Sequence, residues 1–180
     1  IIIPLFGQMN LGVFYYLFMM VFIVGFVNAV NLTDGIDGLS GSVTFTAALG
    51  FIVVSGIFGM WHNALVSSAL AGGMIGYLIF NFYPAKVFMG DTGSMFLGGL
   101  VVALAFGTGM PLVLFLTGII YFIEAMSVVL QVISFKLTGK RIFKMSPIHH
   151  HFEMSGYTEK QIVVMFAVIT AIGSALGILA

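Results

Sequence analysis

Between Leu11 and Val30 the chain reads LGVFYYLFMMVFIVGFVNAV, twenty residues without a single charge. A helix crossing the hydrocarbon core of a bilayer needs about 20 consecutive apolar residues. This run has that length, and Asn28 is its only strongly polar side chain. Similar runs follow at Leu39–Met60, Asn63–Tyr83 and Gln161–Ala180, and a longer one covers Ser94–Phe135. The last is too long for one helix and breaks at Gly107-Thr108-Gly109-Met110-Pro111. The expected spans therefore lie near 11–30, 39–60, 63–83, 94–109, 112–135 and 161–180. Residues 1–7 are expected to end an earlier span. The predicted fold class is all-α, a polytopic transmembrane helical bundle in one integral-membrane domain.

Composition agrees. Of 180 residues 61% are hydrophobic and 7% charged, against about a quarter charged in a soluble domain. Cysteine is absent, which removes disulfides and thiolate metal sites. Net charge is zero, so nothing broad favours nucleic acid. The chain opens Ile1-Ile2-Ile3-Pro4, without a basic region of the kind that starts a signal peptide, and reads as the C-terminal portion of a longer protein.

If each run spans, residues 31–38, 84–93 and 136–160 share one side of the membrane. All six basic residues (Lys86, Lys136, Lys140, Arg141, Lys144, Lys160) fall there, and the excess of positive charge predicts that this side is cytoplasmic. Asn31-Leu32-Thr33 matches a glycosylation sequon, which needs the opposite orientation; the charge asymmetry outweighs so short a pattern.

The polar residues of the three loops form three motifs. NAVNLTDGIDGLSG, residues 28–41, places two Asp-Gly pairs, Asp34-Gly35 and Asp37-Gly38, at the membrane edge. Two turns and a helix cap account for it, and so does a carboxylate and amide cluster facing a polar ligand. It is not an EF-hand, because Phe45 stands where the bidentate Glu belongs. FNFYPAKVFMGDTGS, residues 80–94, sets Asp91 between glycines and hydroxyls before a helix. That is a capping turn, or a helix N-terminus whose free N–H groups face phosphate while Asp91 holds Mg²⁺. The span Ser94–Gly109 is short, about 24 Å by helical rise, which predicts a recessed Asp91. SPIHHHFE, residues 146–153, places three histidines beside Lys140, Arg141 and Lys144. They suit phosphate contact or proton transfer, a solvated loop at anionic headgroups, or, less well without cysteine, zinc. One further pattern lies inside a span: Glu124, Ser127, Gln131 and Ser134 share one stripe of a helix, which should face the bundle or a groove rather than lipid.

These three strings, in this order, resemble the signatures of the polyprenyl-phosphate N-acetylhexosamine-1-phosphate transferases. The histidine motif is most similar to that of the phospho-N-acetylmuramoyl-pentapeptide transferases within them. The resemblance implies a Mg²⁺-dependent transfer of phospho-N-acetylmuramoyl-pentapeptide from UDP-N-acetylmuramoyl-pentapeptide to undecaprenyl phosphate, giving lipid I and UMP. It implies a homodimer in the bacterial cytoplasmic membrane, with no nucleic-acid partner. Carried over by motif, Asp91 is the metal-binding acid, with Asp34, His149 and His150 in the catalytic set. Asn28, Asn31, Asp37, Asn81, Phe88, Ser94, Gln131 and His151 contact substrate. Within that set Phe88 stacks on uracil with Asn81 beside it, and Gln131 borders the nucleotide groove. The family also uses an adjacent aspartate pair, and no Asp-Asp occurs in this sequence. Two rival expectations remain: a sister enzyme transferring another UDP-sugar phosphate, and a transporter with Asn28, Glu124 and Asp91 along an ion path.

Overall fold

The computed structural model describes residues 2–3, 7–8 and 10–179. It is a helical bundle. Among the described residues six helices are long and apolar enough to cross a membrane: α1 (Phe14–Thr33), α2 (Leu39–Ile57), α3 (Trp61–Asn81), α4 (Gly90–Gly107), α6 (Ile119–Thr138) and α8 (Glu159–Leu179). At 1.5 Å per residue they measure about 27–32 Å, the depth of a bilayer core. A 3-10 turn (Pro111–Val113) and a short helix α5 (Leu114–Thr117) precede α6, and α7 (Ile148–Glu153) lies between α6 and α8.

α2 is the centre. It packs on α3 and α8, touches α1, α4 and α5, and is the most enclosed of the six spans. Leu39, Val43, Ala47, Phe51 and Val54 recur along it at helical spacing, and all are buried. α1 packs on α4 and α6, with Phe22 against Phe106 of α4 and both Phe22 and Phe26 against Phe115 of α5, while Phe14, Leu17, Met20, Val21 and Val24 point outward. A helix apolar on every face, with half its large side chains exposed, is built for a lipid surround.

Small residues let the spans approach. Gly98 of α4 lies against the Val27 backbone of α1, and Gly173 of α8 against the carbonyl of Leu116, leaving no room for a methyl group at either. Buried polar atoms pair across the bundle. Thr44 of α2 and Tyr121 of α6 share a 2.7 Å hydrogen bond, and Asn63 of α3 donates to Ser55 of α2 at 2.9 Å.

Three expectations need correction. The stretch 112–135 is not one span: the chain bends at Gly118, where a side chain would collide with the Leu114 carbonyl and the Tyr121 ring, and α6 then runs on to Thr138. Gly139, at φ +70, stops it there in the left-handed cap that favours glycine, its N–H returning to Phe135 O. The span expected to start at Ser94 starts at Gly90, so α4 already contains Asp91 in its first turn, with its side chain exposed. Residues 2–3 are not helical; Ile2 and Ile3 pair antiparallel with Gln8 and Gly7, and the rest of 1–7 lies outside the described residues.

Candidate functional site

The connections α1–α2, α3–α4 and α6–α8 meet at one end of the bundle, and side chains join them pairwise. Asn31, in the last turn of α1, donates through Nδ2 to Asp91 Oδ1 (3.1 Å) and to Ser94 Oγ (2.8 Å). That bond pins the first turn of α4 against α1. Asp37 accepts from the Ala85 N–H at 2.8 Å, tying the first loop to the second. Its own N–H donates to Glu159 at 3.0 Å, tying the first loop to the start of α8. Asn81, at the end of α3 and 3% exposed, accepts from Gly38 N–H (3.0 Å) and donates to Val87 O (2.8 Å).

Asp34 follows the end of α1 and is half-buried. Burial pushes its carboxyl above the ordinary aspartate value, and the nearby charge of Asp91 pushes it the same way. An acid whose ionisation is made costly by burial and by a second carboxylate, with the Asn31 amide nearby, marks a place that a cation would relieve. Among the described residues no three His, Cys, Asp or Glu side chains are arranged as a complete metal cage. Mg²⁺ does not need one, since it is ordinarily held by one or two carboxylates, water and substrate phosphates.

The histidines diverge, as three consecutive residues of a helix must. His149 is fully buried, with Nδ1 at 3.1 Å from both carboxylate oxygens of Glu124 in α6. His150 pairs with Glu153 at 2.5 Å, and its ring lies 4.2 Å from that of His149. His151 accepts from Lys144 N–H at 3.2 Å and meets Phe143 edge-on.

Other expected site residues stand differently. Phe88 is 71% exposed at the rim of the second loop, free to take a planar ligand. Asn28 turns its amide back to Val24 O within α1. Gln131 does not point at Asp34, Asp91 and His149. Its side chain accepts from the N–H groups of Ile142 and Phe143 and donates to Phe143 O, holding the third loop against α6. A cleft of about 370 Å³ opens beside it, lined by Lys136, Arg141, Phe135 and Ser146 among others. Ser127 bonds within α6, to Glu124 O, and Ser134 reaches Lys140 O, so the polar stripe of α6 faces protein along its length.

Two residues were missed. Glu159 was not singled out, although an acid in the first turn of α8 is a helix-start signal that placed it near the loops. Tyr77 lies one turn before Asn81 on the same face of α3, and its hydroxyl is buried near the Met89 backbone.

Residues 1–109 match the family described as glycosyl transferase family 4. A phospho-N-acetylmuramoyl-pentapeptide-transferase of Clostridium perfringens is 54% identical over 166 residues, 92% of this chain and 52% of its own length. Proteins of the same name from Clostridium botulinum and Acetivibrio thermocellus are each 48% identical over all of this chain and 56% of their own. The chain thus spans about half the length of these relatives. The loops that converge in space also carry the strings of the sequence resemblance, and more than half of the chain matches one family description. The chain belongs to glycosyl transferase family 4.

Proposed function

We propose that this stretch forms part of the active site of a phospho-N-acetylmuramoyl-pentapeptide transferase, working as part of a longer protein. The observation that carries the proposal is the junction of Asn31, Asp91 and Ser94 beside Asp34, which fuses two motif loops into one acidic pocket. The names of the relatives support the donor, UDP-N-acetylmuramoyl-pentapeptide, and the acceptor is undecaprenyl phosphate by the sequence resemblance. The basic residues favour a cytoplasmic loop end, where a nucleotide donor is found.

The reaction brings a lipid phosphate onto the donor's sugar-linked phosphorus and expels UMP, so two anions must approach. Mg²⁺, when bound, would neutralise the diphosphate and the departing phosphate. Asp91 would hold it, because its carboxylate faces outward at the start of α4 while Asn31 fixes one oxygen. Asp34 borders the same position. The α4 N-terminus adds the partial positive charge of its free N–H groups. His149 and His150 would face the phosphates, Phe88 would stack on uracil, and Lys136, Arg141 and Lys144 would raise the local concentration of the anionic donor. The clasps at Asp37, Asn81 and Gln131 would hold these parts in register.

The sister reading transfers N-acetylglucosamine phosphate instead. Proteoliposomes of the full-length protein with undecaprenyl phosphate and Mg²⁺ separate the two. UMP release with UDP-N-acetylmuramoyl-pentapeptide and not with UDP-N-acetylglucosamine is expected, and the reverse preference would overturn the donor assignment.

A further inference from the structure

Glu124 is the sixth residue of α6, fully buried in a helix long and apolar enough to cross a membrane. A carboxylate there is costly without a hydrogen-bond donor. Among the described residues one side chain meets it, His149, whose Nδ1 lies 3.1 Å from each oxygen. The far nitrogen of that ring, Nε2, is buried too and has no hydrogen-bond partner. It abuts Gly35, where a methyl group would overlap Nε2 itself. Gly35 follows Asp34, whose carboxyl feels the charge of Asp91, so the open nitrogen ends at the acidic pocket.

A histidine that only fills space uses both nitrogens or leaves one to water. Here one nitrogen is doubly engaged and the other is buried yet unpaired among the described residues, facing the loop that carries Asp34. Glu124 settles which nitrogen carries the proton. Carboxylate oxygens accept, so Nδ1–H donates and Nε2 is the nitrogen left open. Gly35 is part of the same device, because any side chain there would drive the ring away.

We propose that Glu124 is a positioning residue: it fixes His149 with Nδ1 protonated and leaves Nε2, beside Gly35, unprotonated, an acceptor for a hydroxyl of the bound substrate's protonated phosphoryl group. The identity of that phosphoryl group rests on the transferase reading, whereas the orientation and tautomer of the ring do not. Glu124→Gln keeps the shape and an acceptor but loses the carboxylate that selects Nδ1–H.

The test uses the full-length protein in lipid with ¹⁵N-labelled histidine, the His149 signals assigned by their loss in His149→Ala. In the wild type His149 should show a protonated Nδ1, and adding UDP with Mg²⁺ should shift Nε2. In Glu124→Gln the single tautomer should be lost and kcat should fall about 10- to 100-fold, the range for removing an orienting partner. KM should stay within about threefold, since the ring rather than the binding surface is disturbed. Unchanged kcat, or an unchanged His149 signal, overturns the proposal. If Glu124→Gln does not fold, Gly35→Ala decides: it leaves α6 intact and should lower kcat at least tenfold, and wild-type kcat overturns the proposal. Should the wild type release no UMP, the transferase reading falls, and the nitrogen signals still decide whether Glu124 sets the ring.

Discussion

Asn81→Ala should loosen the site without touching substrate. The Asn81 side chain is almost fully enclosed and spends both ends on backbone, Gly38 N–H at 3.0 Å and Val87 O at 2.8 Å. Gly38 is buried, so its N–H would lose its partner with no water at hand, a cost of about 1–3 kcal/mol. Val87 is exposed, and water can replace the amide at its carbonyl for less than about 1 kcal/mol. Loss of about 2–3 kcal/mol is therefore expected. It should appear as a lower unfolding midpoint when the purified protein is titrated with SDS in mixed micelles. Because Gly38 begins α2 and Val87 precedes Phe88, the loops should loosen together, raising KM for the nucleotide donor several-fold. A variant with wild-type stability, less than about 0.5 kcal/mol lost, and a tenfold higher KM would refute this reasoning and return Asn81 to direct contact with the nucleotide.

Three further predictions concern the acids and histidines. Asp91→Asn should abolish turnover while insertion and thermal stability stay near wild type, since Asp91 is exposed and the new amide can still face Asn31; near-normal turnover with unchanged Mg²⁺ dependence would sink the metal assignment. His149→Ala and His150→Ala should each lower activity without releasing zinc, because the two rings are engaged by Glu124 and Glu153 rather than converging on a common point; stoichiometric zinc by elemental analysis, lost on mutation, counts against this. Asp34 has a raised carboxyl pKa, so the stability it contributes is present below the unfolded value and lost as pH rises through the folded one. Asp34→Asn should accordingly be more stable than wild type near pH 7 in Mg²⁺-free buffer, by thermal melt, and the gain should vanish on acidification; equal stability at both pH values would contradict the charge conflict with Asp91.

Much of the site was legible because polar residues are rare in this chain. Against so apolar a background Asp34, Asp37, Asp91 and the histidine run stand out, and the structure gathers all of them at one end. The runs of apolar residues likewise marked six helices, since length and composition suffice for that. What failed depended on pairing in space. Sequence placed Gln131 on the inner stripe of α6 but could not show that Ile142 and Phe143, eleven and twelve residues later, fold back to claim its amide. Glu124 stood on the same inner stripe, yet its partner His149 lies twenty-five residues away across a loop whose path no periodicity reveals. The expected start of α4 failed for a different reason. It relied on where a helix begins, and Gly90-Asp91-Thr92-Gly93 enters α4 although glycine is a weak helix former. The bend at Gly118 escaped notice because the flanking residues are apolar throughout and give no change of pattern.

The central claim is that a sugar phosphate, rather than a sugar, leaves the nucleotide for the lipid. The most direct measurement uses UDP-N-acetylmuramoyl-pentapeptide labelled with ³²P at the phosphate attached to the sugar. Proteoliposomes of the full-length protein are given this donor with undecaprenyl phosphate and Mg²⁺, then partitioned between butanol and water. Transfer of the sugar phosphate sends the label into the butanol phase as a lipid diphosphate and leaves unlabelled UMP in water. Label remaining in water as UDP, with unlabelled sugar on the lipid, would contradict the account.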